Sequence, residues 1–270
     1  MLWNAKNGSV LLNDTDMDFV SFGHGEKTLI LLPGLSDGLS TVKGKALLLA
    51  PSYQSFFDKY TVYMFSRKNA MPDGYAIRDM AADQAFAMRS LGIEKASVLG
   101  VSEGGMIAQY LTADDPELVE SLVLAVTAPC ANDLIRENVQ AWIAMAEARD
   151  HKQLMIDTAE KSYSDRYLKR FRKLYPAIGL IGRPKTYRRF LIHANAILTF
   201  DARPEVKKIN CPTLIIGGSD DKVIGVQASF ELHKRIPGSR IHIYDGLGHA
   251  AYEEAPDFNT RVLEFLEASR

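Results

Sequence analysis

The 270-residue sequence predicts an α/β protein: a doubly wound, mostly parallel sheet with an inserted all-helical block. Three observations lead there. Short runs rich in Val, Ile and Leu are bounded by Gly or Pro, as expected of central strands buried on both faces. These runs alternate with stretches of helical apolar spacing, which winds a parallel sheet with right-handed crossovers. One long stretch, Cys130 to about Asn210, carries helical spacing only.

Taken in order, Ser9–Leu12 and Asp18–Phe22 read as N-terminal strands forming an antiparallel edge. Thr28–Pro33, Thr61–Phe65, Ala96–Val101, Ser121–Thr127, Thr213–Ile216 and Arg240–Tyr244 read as the parallel strands. Tyr75–Leu91 sets Ile77, Met80, Ala81, Ala85 and Met88 near one helical face, with Gly92 as the stop. Val226–Ile236 and Phe258–Ala268 behave alike. In the block without strands, Asn132–Arg149, Lys152–Ser162, Asp165–Tyr175 and Lys185–Phe200 read as helices, with Asn132 and Asp165 as N-caps. Helices inserted between two parallel strands are expected to cover the C-terminal edge of the sheet, where such sheets hold their ligands. The expected division is a core of residues 1–129 and 211–270 and a helical cap of residues 130–210.

Charge is nearly balanced, 32 Lys plus Arg against 33 Asp plus Glu, which argues against a general polyanion binder. Two cysteines, Cys130 and Cys211, make neither a disulfide framework nor a cysteine metal site. Met1–Val20 is too polar for a signal-peptide core, and no apolar run spans a membrane, so the expectation is a cytoplasmic protein. A dinucleotide fingerprint and a P-loop are both missing.

The chemistry concentrates at Gly100-Val101-Ser102-Glu103-Gly104-Gly105, a G-x-S-x-G pattern between a strand and a helix. The turn is so tight that side chains two residues either side of the serine would collide, and it lifts the Ser102 hydroxyl above the sheet edge. A serine needs a base and an orienting carboxylate to become a nucleophile. Candidates follow two later strands: Asp220 and Asp221 after Thr213–Ile216, and His249 after Arg240–Tyr244.

With these motifs the chain resembles the α/β-hydrolase superfamily over essentially its full length, the cap position included. The family's Gly-x-x-Asp pattern falls on Gly218 and Asp221, although the Val-Pro that follows it is here Ile224-Gly225. The resemblance therefore implies a Ser102, Asp221, His249 triad, with Asp220 as the competing acid. It also implies an oxyanion hole of the Glu103 and Leu35 backbone N–H groups, the latter in the loop Pro33–Gly38. No metal or organic cofactor is needed. Glu103 is unusual beside a nucleophile. Its carboxylate either opposes oxyanion formation or points away and favours the positive helix end, and the second is the simpler reading.

The implied activity is hydrolysis of a small or medium carboxylic ester through an acyl-enzyme, as in a carboxylesterase. Alternatives are a C–C bond hydrolase, enol-lactonase or menaquinone-pathway-like lyase on a carboxylated substrate, an acyltransferase or perhydrolase, and a ligand-binding receptor using the same fold. Arg67, Trp142, Met145, Tyr163, Phe171 and His193 are candidate substrate contacts; Arg67 competes with pairing to Asp73 or Asp79. The other histidines have no partner at metal-ligand spacing. Residues 161–190 carry ten Lys or Arg and one acid, so the rest of the chain is net acidic. Tyr167, Leu168, Phe171, Leu174 and Tyr175 share one helical face there, predicting an amphipathic cap helix with a solvated basic side, or else a field that steers anionic substrates. The expected partner is a small molecule, with no nucleic acid and no membrane, and the chain a monomer or homodimer.

Overall fold

The computed structural model describes residues 2–13, 15–179 and 182–269; Met1, Asp14, Leu180, Ile181 and Arg270, parts of the ranges assigned above, lie outside the described residues. Eight strands form one sheet: β1 Lys6–Leu12, β2 Thr15–Phe22, β3 Lys27–Leu32, β4 Tyr60–Lys68, β5 Ala96–Val101, β6 Val119–Ala125, β7 Thr213–Gly218 and β8 Arg240–Tyr244. Their order is β1-β2-β4-β3-β5-β6-β7-β8. The β1–β2 and β2–β4 pairings are antiparallel and the others parallel.

The helices are α1 Ala46–Leu49, α2 Ile77–Ser90, α3 Glu103–Asp114, α4 Asp133–Glu147, α5 His151–Ser162, α6 Asp165–Phe171, α7 Tyr175–Ile178, α8 Arg188–Leu198, α9 Val226–Arg235, α10 Ala251–Glu254 and α11 Phe258–Ala268. The central strands alternate between two cores, as side chains two residues apart share a face. Ile30, Leu32, Leu122, Leu124 and Ile215 pack with α2, α3 and α9. Leu29, Leu31, Val123, Leu214 and Ile216 pack with α11 and the turns at 46–57. Both faces being covered, the runs read as unbroken apolar sequence.

Boundaries moved where side chains or backbone strain decide them. β6 ends at Ala125, because Val126 takes φ 44°, which a β-branched residue does not hold within a strand. Asn132 caps α4, its side chain accepting the Ile135 N–H at 2.9 Å. The cap of α6 is Ser164 rather than Asp165, its hydroxyl taking the Tyr167 N–H. The helical turns at 46–56 have no counterpart in the sequence pattern; α1 has one buried residue and leaves Leu47 and Leu48 exposed, so no apolar period marks it. The run from 165 is broken into α6, a 3-10 turn at Arg172–Leu174 and α7.

The helices α4 to α8 lie between β6 and β7. The chain leaves and rejoins the sheet side by side: Ala131 N–H donates to Phe200 O at 2.9 Å, and Ala202 N–H to Pro129 O at 2.8 Å.

Candidate active site

Ser102 joins β5 to α3 with φ 53° and ψ −119°. A non-glycine residue keeps such strain only where its surroundings enforce it. Here Ser102 N–H donates to Ala125 O at 2.9 Å, and the Thr127 hydroxyl donates to Ser102 O at 2.7 Å. The two glycines of the pattern let the turn close. A Cβ on Gly100 would lie 2.5 Å from Gly104 O, and one on Gly104 1.9 Å from Leu32 O at the end of β3.

His249, in the loop after β8, sets Nε2 2.9 Å from Ser102 Oγ and Nδ1 2.8 Å from Asp221 Oδ2. A carboxylate only accepts, so Nδ1 carries the proton, leaving the Nε2 lone pair for the Ser102 hydroxyl. The other oxygen of Asp221 accepts the N–H groups of Val223 (2.8 Å) and Ile224 (3.0 Å). Burial raises the Asp221 carboxyl, but His249 and these two N–H groups outweigh it and hold it below the ordinary aspartate value. Asp220 faces away, its carboxylate taking the Ser219 hydroxyl at 3.0 Å.

Glu103 opens α3 and Leu35 opens a 3-10 turn at Leu35–Gly38. An N–H at the first position of a helix has no carbonyl within it to bond. The preceding Gly34 lies against Ser102, where an added Cβ would sit 3.2 Å from the serine Cβ.

A cavity of about 160 Å³ opens on Ser102 and His249. Gly34, Leu35 and Leu39 border it from the β3 side. Trp142 of α4, Leu154, Met155 and Thr158 of α5, Phe190 of α8 and Tyr252 form its walls. Among the described residues, no Lys, Arg, Asp or Glu lines it.

Of the six candidate substrate contacts, only Trp142 borders this cavity. Arg67 does not reach it: fully buried, it donates to Pro33 O and Glu103 Oε2, while Asp73 takes Arg188 and Asp79 accepts the Ala76 N–H. His193 is equally buried, with Nδ1 3.1 Å from Glu103 Oε1. The Glu103 side chain thus points away from Ser102, but into a buried ionic cluster rather than simply towards the helix end. Met145 packs, half-buried, against the core. Tyr163 stacks on Tyr167 at 4.5 Å and donates to Glu253, and Phe171 stacks on Tyr167 at 4.3 Å and is 39% exposed. The α5 wall went unseen because helical spacing gives Leu154, Thr158 and Ser162 a common face but not what that face meets.

A family model described as alpha/beta hydrolase fold matches residues 51–256. The chain belongs to the alpha/beta hydrolase fold family. Among other members, a 2-hydroxy-6-oxononadienedioate/2-hydroxy-6-oxononatrienedioate hydrolase of Klebsiella pneumoniae is 31% identical over 259 residues, covering 90% of this chain and 88% of the relative. The serine hydrolase BPHL of Homo sapiens is 24% identical over 284 residues, covering 98% and 87%. An enol-lactonase from Burkholderia xenovorans superposes with a TM-score of 0.83 at 22% identity, covering 96% of this alpha/beta hydrolase and 100% of that chain.

Proposed function

We propose that this alpha/beta hydrolase is a serine hydrolase of small, uncharged carboxylic esters, with residues 130–210 as its cap. The observation that carries the reading is the Ser102–His249–Asp221 chain of contacts at 2.9 and 2.8 Å, opening into an apolar cavity without charged walls. His249 Nε2 takes the Ser102 proton as Oγ attacks the acyl carbon, and Asp221 holds the imidazole tautomer and stabilises its cation. The Leu35 and Glu103 N–H groups receive the tetrahedral oxyanion; one such donor is worth about 2.7–4 kcal/mol in the transition state. His249 then protonates the leaving alcohol, and water activated by the same imidazole releases the acid from the acyl-enzyme.

The cavity is close in volume to the roughly 150 Å³ that admits a benzene ring, so an acyl group of a few carbons or one ring fits it. The Klebsiella relative is named for a dicarboxylate. The uncharged walls favour a neutral ester here, since a buried carboxylate needs a partner. The test is turnover of p-nitrophenyl butyrate with fluorophosphonate labelling. Ser102→Ala should abolish both, and full activity of that variant would refute the mechanism.

A further inference from the structure

Asp37, Arg67, Glu103 and His193 lie buried and Arg189 partly buried in one cluster that adjoins Ser102 through Glu103, and no side chain among them takes part in the bond-making steps above. Arg67, at the end of β4, uses a single nitrogen, Nη2, to donate to Pro33 O at 2.5 Å and to Glu103 Oε2 at 3.0 Å. Pro33 precedes the Gly34–Leu35 peptide, and Glu103 carries the other proposed donor. One guanidinium therefore bridges both segments of the oxyanion hole.

The cluster continues into α8. His193 Nδ1 stands 3.1 and 3.2 Å from the two Glu103 oxygens. Arg189, one turn earlier, donates to Asp37 Oδ2 at 2.7 Å and to Arg67 O at 2.8 Å, and the same Asp37 oxygen accepts the Arg67 N–H at 3.0 Å. Phe190, between them in sequence, is a wall of the cavity. Two arginines balance two carboxylates, which is the condition for burying such charges. Burial opposes ionisation of Glu103, but His193 and Arg67 outweigh it, so its carboxyl lies below the ordinary glutamate value. Asp37 lies low too: burial raises it, and Arg67, Arg189 and His193 overcome that.

We propose that Arg67, Glu103 and His193 are positioning residues that lock the Leu35 and Glu103 N–H groups into one arrangement registered to α8. The inference rests on the Ser102 acyl-enzyme reading. Donors to an oxyanion act because they are fixed before charge develops, and a displacement of about 1 Å can lower the rate about 100-fold. A cluster serving folding alone would not need to join both donor segments and the cavity wall.

The test is turnover of p-nitrophenyl butyrate per site, the sites counted by fluorophosphonate labelling carried to completion. Glu103→Gln and Arg67→Met should each lower kcat per labelled site by about 10–100-fold, with KM within about threefold. Affinity for a boronic acid that forms a tetrahedral adduct on Ser102 should fall by a similar factor. His193→Leu should lower kcat about tenfold. The double variant Arg67→Met/Glu103→Gln keeps the buried region neutral, so its stability should approach that of the parent while its turnover stays low. If the variants lose only melting temperature and labelled fraction, with kcat per site and boronate affinity within about twofold of the parent, the proposal is overturned. Activity of Ser102→Ala would instead overturn the acyl-enzyme reading. An inactive Ser102→Ala beside a fully active double variant would overturn the positioning role alone.

Discussion

Asp221 divides its two oxygens: one orients His249, the other accepts two backbone N–H groups that hold the carboxylate in place. Replacing it by Asn keeps the shape but offers His249 an amide, which allows the wrong tautomer. Asp221→Asn should lower kcat about 10⁴-fold with little change in KM, whereas Asp220→Asn, bonded only at the surface, should stay within about twofold; steady-state esterase kinetics separate them. Buried carboxyls also contribute to acid stability. Asp37, Glu103 and Asp221 all have carboxyls held low in the folded protein. Such groups stabilise the fold above their unfolded pKa, about 3.9–4.3, and that contribution is lost as pH falls through the folded values. The contribution of these three carboxyls to the urea midpoint should therefore be flat from about pH 7 to 5 and fall steeply below about 4. Asp37→Asn should lower the plateau and flatten the acid limb.

At the scale of elements, the contact between the Gly100–Gly104 turn (the elbow that carries Ser102) and β3 leaves no room for a side chain. Gly104→Ala would drive a methyl into two carbonyls, Leu32 O at 1.9 Å and Pro33 O at 2.6 Å, neither of which can rotate away. A loss of about 3 kcal/mol is expected, at the upper end of overpacking costs, read from the denaturant midpoint. The C-terminal helix α11 is tied to the sheet by Glu267, which accepts from Lys27, Lys59 and Tyr60. Those hydrogen bonds lower its pKa from 4.5 to about 2. Glu267→Gln should cost about 1 kcal/mol at pH 7, a figure limited by its partly exposed lysines. The difference from the parent should vanish as pH falls from about 4.5 to about 2. The α6 face follows a different rule from that expected of it. Leu168 alone is buried, Leu174 is 58% exposed, Tyr167 and Phe171 stack on each other, and the Tyr175 hydroxyl donates to Glu160 instead of entering the core.

Across the whole molecule, the basic excess of residues 161–190 does not enter the cavity. Arg172 pairs with Glu160, Lys161 with Asp157, Arg188 with Asp73 and Arg189 with Asp37. Two of these partners, Asp37 and Asp73, lie outside residues 130–210, so part of the positive charge fastens α8 to the segments after β3 and β4. Among the described residues, no Lys or Arg lines the cavity to meet a substrate carboxylate. For a matched pair such as p-nitrophenyl butyrate and the p-nitrophenyl hemiester of succinate, kcat/KM should favour the neutral ester by at least about tenfold. The neutral rate should hardly change with added salt, because an uncharged substrate is not steered.

The sequence by itself determined the parallel strands, the elbow and the order in which serine, acid and histidine follow them. Those features depend on local terms: apolar runs, a steric need for glycine at Gly100 and Gly104, and loops that begin where strands end. Tertiary structure turns Asp221 towards His249 and Asp220 towards Ser219, a difference of side-chain direction at adjacent positions. It also turned Arg67, Glu103 and His193 from separate candidates into one cluster, and supplied the α5 wall. A buried charge is tolerable only beside its counter-charge, and here Arg67 and Glu103 are 36 residues apart in the chain, beyond the reach of any local pattern.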